Sequence, residues 1–271
     1  MKNSFIISMC IFLFSCVEKK NEVKEFYNDG NLKAIHYKNK ERLDSSIYYT
    51  SQKRNVISFK KYYDDKFINK KIMYPNGIVE SEGFIDIEDN RVGVWHFYDN
   101  KGELIFTRDF LNIRGAEYLN QYWKVKGKDT IFEQSKFVDF LFNKDTINLN
   151  EPLRSAAYLR SRLFSSNSEF YVLLSKGYEN KYEKGFINEG LIEVDTFLSI
   201  KSDTFNRKFF NKRLNQKFVV PFGKWFKTSG DKILRGIAIE YYPEKLANSN
   251  SVINKISKTY FEKKIYVRDS L

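Results

Sequence analysis

The chain has 271 residues, a formal net charge of +12 and an aromatic content of 17%, with 25 Phe and 18 Tyr. It has only 2 His and 2 Cys, and it contains neither Gly-x-Ser-x-Gly nor His-x-x-x-His, so the usual patterns of serine hydrolases and zinc sites are missing. Large rings and β-branched residues favour strands that pack on one face. The composition therefore predicts an all-β chain without a metal or cofactor site.

The N-terminus has the pattern of an export signal. Lys2 precedes an apolar run over residues 5–14, which is too short for a spanning helix because such a helix needs about 20 residues. The run ends in Leu13-Phe14-Ser15-Cys16, which resembles the lipobox of bacterial lipoproteins. The resemblance implies a signal peptide over residues 1–15, cleavage between Ser15 and Cys16, acylation of Cys16, and a polar tether over residues 16–23. The alternative is an ordinary secretory signal with an incidental cysteine.

The lipobox resemblance also restricts the expected partners. It implies a lipid-anchored protein of the cell envelope, and Val17 in place of an aspartate after Cys16 favours the outer membrane. Most of the basic excess lies in residues 141–271. Outside the cytoplasm this charge favours the membrane itself, an envelope protein, an anionic glycan or lipid headgroups, and argues against nucleic acid.

Residues 24–135 repeat a short unit about every two dozen residues. Phe26-Tyr27-Asn28-Asp29-Gly30, Met73-Tyr74-Pro75-Asn76-Gly77 and Phe97-Tyr98-Asp99-Asn100-Lys101-Gly102 each read as a strand followed by a tight turn. Glycine accepts the positive φ that such a turn requires. Weaker copies at Tyr49 and Tyr122 keep the spacing. A period of this length predicts one β-hairpin per repeat, stacked into an antiparallel β-meander.

The best copy of the repeat, Gly93-Val94-Trp95-His96-Phe97-Tyr98 with Gly102-Glu103-Leu104, resembles the bacterial variant of the MORN repeat. The resemblance covers about residues 24–132. It implies a β-meander that serves as a binding or spacer module without catalytic residues. Proteins with these repeats are often labelled antitoxins, which suits a cytosolic protein, and the lipobox argues against that function here.

Residues 136–271 lose the repeat and read as a separate β domain. Strands are predicted within residues 145–152, 153–162, 169–174, 192–200, 233–242 and 259–268, with glycines between several of them. Several short strands with turn signals predict an antiparallel sandwich. The pattern resembles the immunoglobulin-like β-sandwiches of exported bacterial proteins.

Within this half, residues 205–227 hold seven basic and no acidic residues, interleaved with aromatic rings. The candidate anion- or partner-binding residues are Arg207, Lys208, Lys212, Arg213, Lys217, Lys224, Trp225 and Lys227. Such interleaving is typical of single-strand nucleic-acid grooves, and export favours an anionic glycan, a lipid headgroup or an acidic protein face instead. The alternative is an edge strand whose lysines prevent pairing with other chains.

The sequence predicts a binding protein and not an enzyme. The two histidines, His36 and His96, lie in predicted strands and are predicted to be structural. The first hypothesis is a lipid-anchored scaffold or binding protein of the envelope. The second is an inhibitor, immunity or antitoxin-type protein that neutralises a toxin or enzyme. A hydrolase, which needs only two neighbouring carboxylates, is a third reading.

Overall fold

The computed structural model describes residues 21–51, 55–63, 68–178, 181–205, 207–209, 216–245 and 252–269. The predicted signal peptide, Ser15, Cys16, Lys212 and Arg213 lie outside these residues. Among the helices of the described ranges, none has the length and apolar character needed to cross a membrane.

The first half is an antiparallel meander in which each strand pairs with the next along the chain. Its strands are β1 (Asn21–Phe26), β2 (Leu32–Asn39), β3 (Arg42–Tyr49), β4 (Val56–Tyr62), β5 (Ile68–Met73), β6 (Val79–Ile85), β7 (Arg91–Tyr98), β8 (Leu104–Ile113), β9 (Ala116–Lys126) and β10 (Asp129–Phe142). The predicted β-meander is confirmed. Strand β1 begins within the predicted tether, so residues 21–23 already belong to the sheet.

The turns of the meander use the residues that predicted them. The amide of Tyr27 donates to the carbonyl of Asn31 at 2.8 Å, and Gly30 between them has a φ of 79°. The loops at 74–78 and 99–103 repeat this arrangement, each with a glycine at positive φ. The glycine at positive φ lets each loop follow the right-handed twist of the two strands that it connects.

Tyrosines at the predicted period connect neighbouring hairpins. The hydroxyl of Tyr27 donates to the carbonyl of Tyr49, and the hydroxyl of Tyr74 donates to the carbonyl of Tyr98, both at 2.9 Å. Tyr122 departs from the pattern because it lies inside β9, four residues before that strand ends. The two tyrosines that make the contact directly follow strands β1 and β5, whereas Tyr98, which ends β7, donates its hydroxyl to the Glu82 carboxylate.

The meander has a small core of its own. Ile85, Trp95 and Phe110 are buried together on one face of β6, β7 and β8. The indole Nε1 of Trp95 donates to the carbonyl of Phe84 at 2.8 Å, and the indole ring lies directly over Gly83. Most other side chains of the meander are half-buried or exposed, as expected for an antiparallel sheet with a face in contact with water.

The described residues of the second half form seven further strands and three 3₁₀ turns. The strands are β11 (Thr146–Asn148), β12 (Leu153–Ser161), β13 (Glu169–Ser175), β14 (Val194–Leu198), β15 (Val219–Lys224), β16 (Gly230–Lys245) and β17 (Val252–Arg268). The 3₁₀ turns are Lys184–Phe186, Arg207–Phe209 and Gln216–Phe218. Strands β12 and β15 extend the meander beyond β10 into a sheet of twelve strands, and the others form a second sheet in the order β11-β17-β16-β13-β14.

The two sheets enclose the main hydrophobic core between them. Buried side chains from β10, β12 and β15 face buried side chains from β13, β16 and β17. The rings of Phe140 and Phe261, one from each sheet, have centroids 4.3 Å apart. The all-β prediction of a meander followed by a sandwich is therefore confirmed.

Strand β10 belongs to both halves. Residues 129–136 pair with β9, and residues 137–142 pair with β12, so the strand runs across the predicted boundary at 135/136. Side chains of Tyr118 and Asn120, on β9, also bond the backbone of β17. The end of the meander is thus joined to both sheets.

Candidate binding site

The described members of the predicted basic set fall into two groups at opposite ends of β15. Arg207, Lys208 and Lys217 precede the strand, whereas Lys224, Trp225 and Lys227 end or follow it. A strand rises about 3.3 Å per residue, so the six residues of β15 separate the groups by roughly 20 Å. The interleaved sequence therefore does not form one continuous surface among the described residues.

The first group is engaged with its own chain. The Nε of Arg207 donates to the Gln216 side-chain oxygen at 3.0 Å. The Nζ of Lys217 donates to the carbonyl of Ser166 at 2.8 Å, and the Nζ of Lys208 lies 5.3 Å from the ring centroid of Phe205. These contacts engage all three side chains with neighbouring groups of the same chain.

Lys224 has a structural position. Its side chain is buried, and its Nζ donates to the carbonyl of Ser175 at 2.5 Å and to the Ser175 hydroxyl at 3.3 Å. A buried ammonium needs such partners because losing water is costly for a charge. Lys224 therefore ties β15 to the end of β13, and its ammonium is turned towards Ser175.

Trp225 and Lys227 border an open cleft of about 530 Å³ at this end of the sandwich. The cleft lies between the end of β15, the edge strand β14 and the turn that follows β13. Its described lining residues are Asn150, Gly177, Tyr178, Asp195, Phe197, Gly223, Lys224, Trp225 and Lys227.

Alternation along the chain explains why Trp225 faces the cleft. Phe222 and Phe226 are buried in the core, whereas the Trp225 side chain is 49% exposed. The β15 backbone approaches β12 closely at Gly223, where a Cβ would lie 2.8 Å from the carbonyl oxygen of Leu153. The buried phenylalanines and this close approach hold the indole at the rim.

On the other side of the cleft, Lys227 is held between a ring and an amide. Its Nζ lies 4.7 Å from the ring centroid of Tyr178 and donates to Asn150 Oδ1 at 3.1 Å. The Tyr178 side chain is 56% exposed. The cleft therefore combines two accessible rings with a cation and an amide whose position is fixed.

No family model matches this sequence, and no curated protein matches it. Asp195 is the one carboxylate among the described lining residues, whereas acid–base hydrolysis of a glycoside uses a pair. Within the described ranges, no three His, Cys, Asp or Glu side chains are placed to share a metal ion. The two accessible rings, the cation and the amide are groups that can contact a ligand.

Six of the nine described lining residues were not predicted as site residues from the sequence, and four of the six are not glycine. Asn150, Tyr178, Asp195 and Phe197 come from three separate segments, and the fold alone brings them beside Trp225. Gly177 indicated a turn, and nothing in the sequence indicated what that turn would face.

Proposed function

We propose that this chain is a lipid-anchored protein of the cell envelope that binds a glycan, without catalysis, through the cleft bordered by Trp225 and Tyr178. The observation that carries the proposal is the presence of two exposed aromatic rings at one cleft together with fixed polar groups. Aromatic side chains of this kind offer an apolar face and a polar edge at the same site.

The cleft has the groups that a sugar ring requires. The C–H face of a pyranose can lie on an indole or phenol ring, while its hydroxyls bond the amide of Asn150, the carboxylate of Asp195 and the ammonium of Lys227. Lys227 adds a positive charge at the rim, which favours a glycan that bears an acidic group. Trp225 does not fill the core: its side chain is exposed, whereas that of the adjacent Phe226 is buried. The indole ring is therefore accessible to a ligand.

The anchor and the meander support the same function. Cys16, the residue that the lipobox resemblance implies is acylated, precedes the first residue of β1 by five positions. The strands then pair in sequence from β1 to β10. Neighbouring strands are spaced about 4.8 Å apart, so the nine steps from β1 to β10 span roughly 40 Å. The meander would hold the cleft this far from the membrane surface.

The binding test uses the full-length chain in detergent and an array of bacterial oligosaccharides from peptidoglycan, lipopolysaccharide and capsule. We expect saturable binding to a glycan, and Trp225→Ala should weaken it at least about tenfold, the loss expected for one stacked ring with its hydrogen-bonded neighbours. Phe132→Ala is the matched control, because Phe132 is 50% exposed and lies at the start of β10, away from the cleft.

The outcomes separate the two functions. Glycan binding that Trp225→Ala removes and Phe132→Ala leaves intact supports the proposal. Absence of glycan binding, with capture of one tight protein partner from the envelope, would point to the inhibitor or immunity-type alternative.

The anchor is tested separately, with labelled fatty acid supplied to cells that express either the wild type or Cys16→Ala. The wild type should carry label in the membrane fraction, and the variant should lose it. Soluble, unlabelled protein in both cases would contradict the lipoprotein assignment and return the cytosolic antitoxin function to consideration.

A further inference from the structure

Two cations on the meander share one aromatic ring. The guanidinium carbon of Arg108 lies 5.0 Å from the ring centroid of Phe106 and 4.5 Å from that of Phe97. The Nζ of Lys124 lies 4.2 Å from the Phe106 centroid. Both charges are close to the same ring, so they lie within about 9 Å of each other.

The strand register places these groups on one face of the sheet. Phe106 pairs with Lys124, and Arg108 pairs with Tyr122, across the antiparallel strands β8 and β9. Residues two apart on a strand, and residues paired across strands, point to the same side. Tyr122 therefore lies beside Arg108 on this face.

Two other arginines that stack on rings, Arg91 and Arg160, also have a carboxylate, whereas Arg162, which lies 5.0 Å from the Phe218 ring centroid, has none among the described residues but is exposed to water. Arg91 lies 4.1 Å from the Phe110 ring centroid and bonds Glu117, with Nη2 and Oε1 2.5 Å apart. Arg160 lies 5.0 Å from the Tyr158 ring and pairs with Asp139 at 2.7 Å. Across the described part of the chain, the Arg108 side chain makes neither an ion pair nor a hydrogen bond.

Half-burial makes this unpaired charge notable. The side chains of Arg108, Tyr122 and Lys124 are each neither fully exposed nor buried. Burial lowers the pKa of Arg108, and the neighbouring charge of Arg91 lowers it further. A guanidinium that has lost part of its hydration gains more from an anion than one in open water does.

We propose that Arg108, Lys124 and Tyr122 form a binding site for an oxyanion group: a phosphate, a sulfate or a carboxylate. Arg108 supplies a planar fork that suits two oxygens of such a group, and the rings of Phe97 and Phe106 fix its plane. Lys124 supplies a second charge, and the Tyr122 hydroxyl supplies a further donor. The site lies on the meander and does not depend on the glycan cleft.

The test follows the Arg108 Nε–H signal by NMR in the full-length chain in detergent, while inorganic phosphate, sulfate or acetate replaces chloride at constant ionic strength. We expect a saturable shift at Arg108 with at least one of the three probes, and their order identifies the preferred oxyanion. Arg160 is the matched control, because it also stacks on a ring but already has a carboxylate.

Two variants complete the test. Arg108→Gln and Lys124→Gln should each weaken binding about tenfold, because each removes one positively charged donor to the anion. The melting temperature of each variant shows whether the sheet is intact. The proposal is overturned if the Nε–H shift of Arg108 rises linearly with all three probes, or if Arg108 and Arg160 shift equally. It is also overturned if a folded Arg108→Gln variant binds the oxyanion as well as the wild type does.

Discussion

The side chain of Asn120 bonds both backbone groups of Tyr260, a residue 140 positions later in the chain. Asn120 Nδ2 donates to the Tyr260 carbonyl at 3.0 Å, and Asn120 Oδ1 accepts the Tyr260 amide at 2.8 Å. The same Nδ2 donates to Asp109 at 2.9 Å. The Asn120 side chain thus satisfies the two backbone groups of Tyr260 that a neighbouring strand would otherwise bond.

Asn120→Ala should therefore be among the most destabilising changes in the chain. It leaves the amide and carbonyl of Tyr260 without their partner in a buried position, so we expect a loss of about 2–4 kcal/mol in the free energy of unfolding. Urea unfolding measures it. Asn55→Ala is the control, because Asn55 makes one exposed side-chain bond, to Pro75 at 3.3 Å, and should cost under about 1 kcal/mol. Equal losses in the two variants would contradict this account.

Gly83 should not tolerate a methyl group. A Cβ there would overlap the indole ring of Trp95, which is buried and is fixed by its bond to Phe84. We expect Gly83→Ala to cost about 2–3 kcal/mol, because overpacking forces the ring or the strand to move. Gly115→Ala is the comparison: Gly115 has a φ of 82° and open space, so only backbone strain of about 1 kcal/mol applies. A smaller loss at Gly83 than at Gly115, by thermal melting, would show that Trp95 can move.

Lys136 should make the stability rise in alkaline solution. Burial lowers the pKa of its ammonium to about 8, while the pKa in the unfolded chain is about 10.5. Between these values the unfolded chain binds more protons, so stability increases as the pH rises from 8 towards 10.5, by up to about 3 kcal/mol. Below pH 8 this gain is absent.

Unfolding experiments on the wild type and Lys136→Met between pH 7.5 and 10 isolate this effect. The variant should lose the rise, and the carbonyl of Lys258 should keep the hydroxyl of Tyr118 as its donor. The upper pH limit of 10 is needed because burial raises the pKa of Tyr182 to about 12. Above about pH 10, tyrosines in the unfolded chain ionise while Tyr182 in the folded chain does not, and this difference lowers the stability. Parallel pH profiles for the two proteins would contradict the assignment.

The tyrosine hydroxyls that join neighbouring hairpins should each contribute a modest stabilisation. Tyr74→Phe removes the bond to the Tyr98 carbonyl and should cost about 0.5–1.5 kcal/mol, with faster amide exchange in the turn at 74–78. Tyr63→Phe provides the control, because the Tyr63 side chain is 66% exposed. An effect no larger than that of Tyr63→Phe would mean that water replaces the Tyr98 contact at no cost.

Local pattern was sufficient for much of the fold. Gly30, Gly77 and Gly102 marked their turns because the positive φ of a hairpin loop is a property of a few adjacent residues. An edge strand was the alternative interpretation of residues 205–227, where Pro221 and Gly223 weaken a strand pattern. Strand β15 does form there: among the described residues it pairs with β12 and lies at the edge of the sheet, where a missing amide donor does no harm.

Long-range placement determined the rest of the candidate site. Lys224 and Lys227 have the same charge and are three residues apart, yet one ammonium is buried on Ser175 and the other lies beside Tyr178. Sequence charge alone does not distinguish them, because their partners come from segments about 50 residues away. The unpaired state of Arg108 likewise depends on which carboxylates the folded sheet brings near it.

The shared strand β10 has a mechanical consequence. The inter-strand hydrogen bonds of the meander are perpendicular to the strands, so they lie along the direction from β1 to β10. A force applied between Asn21 and the Trp225 cleft would therefore act on one pair of strands at a time. Such loading peels hairpins at low force, whereas the sandwich beyond β10 has a core between two sheets to resist it. The meander would lengthen first, hairpin by hairpin, while the sandwich with the Trp225 cleft stayed folded.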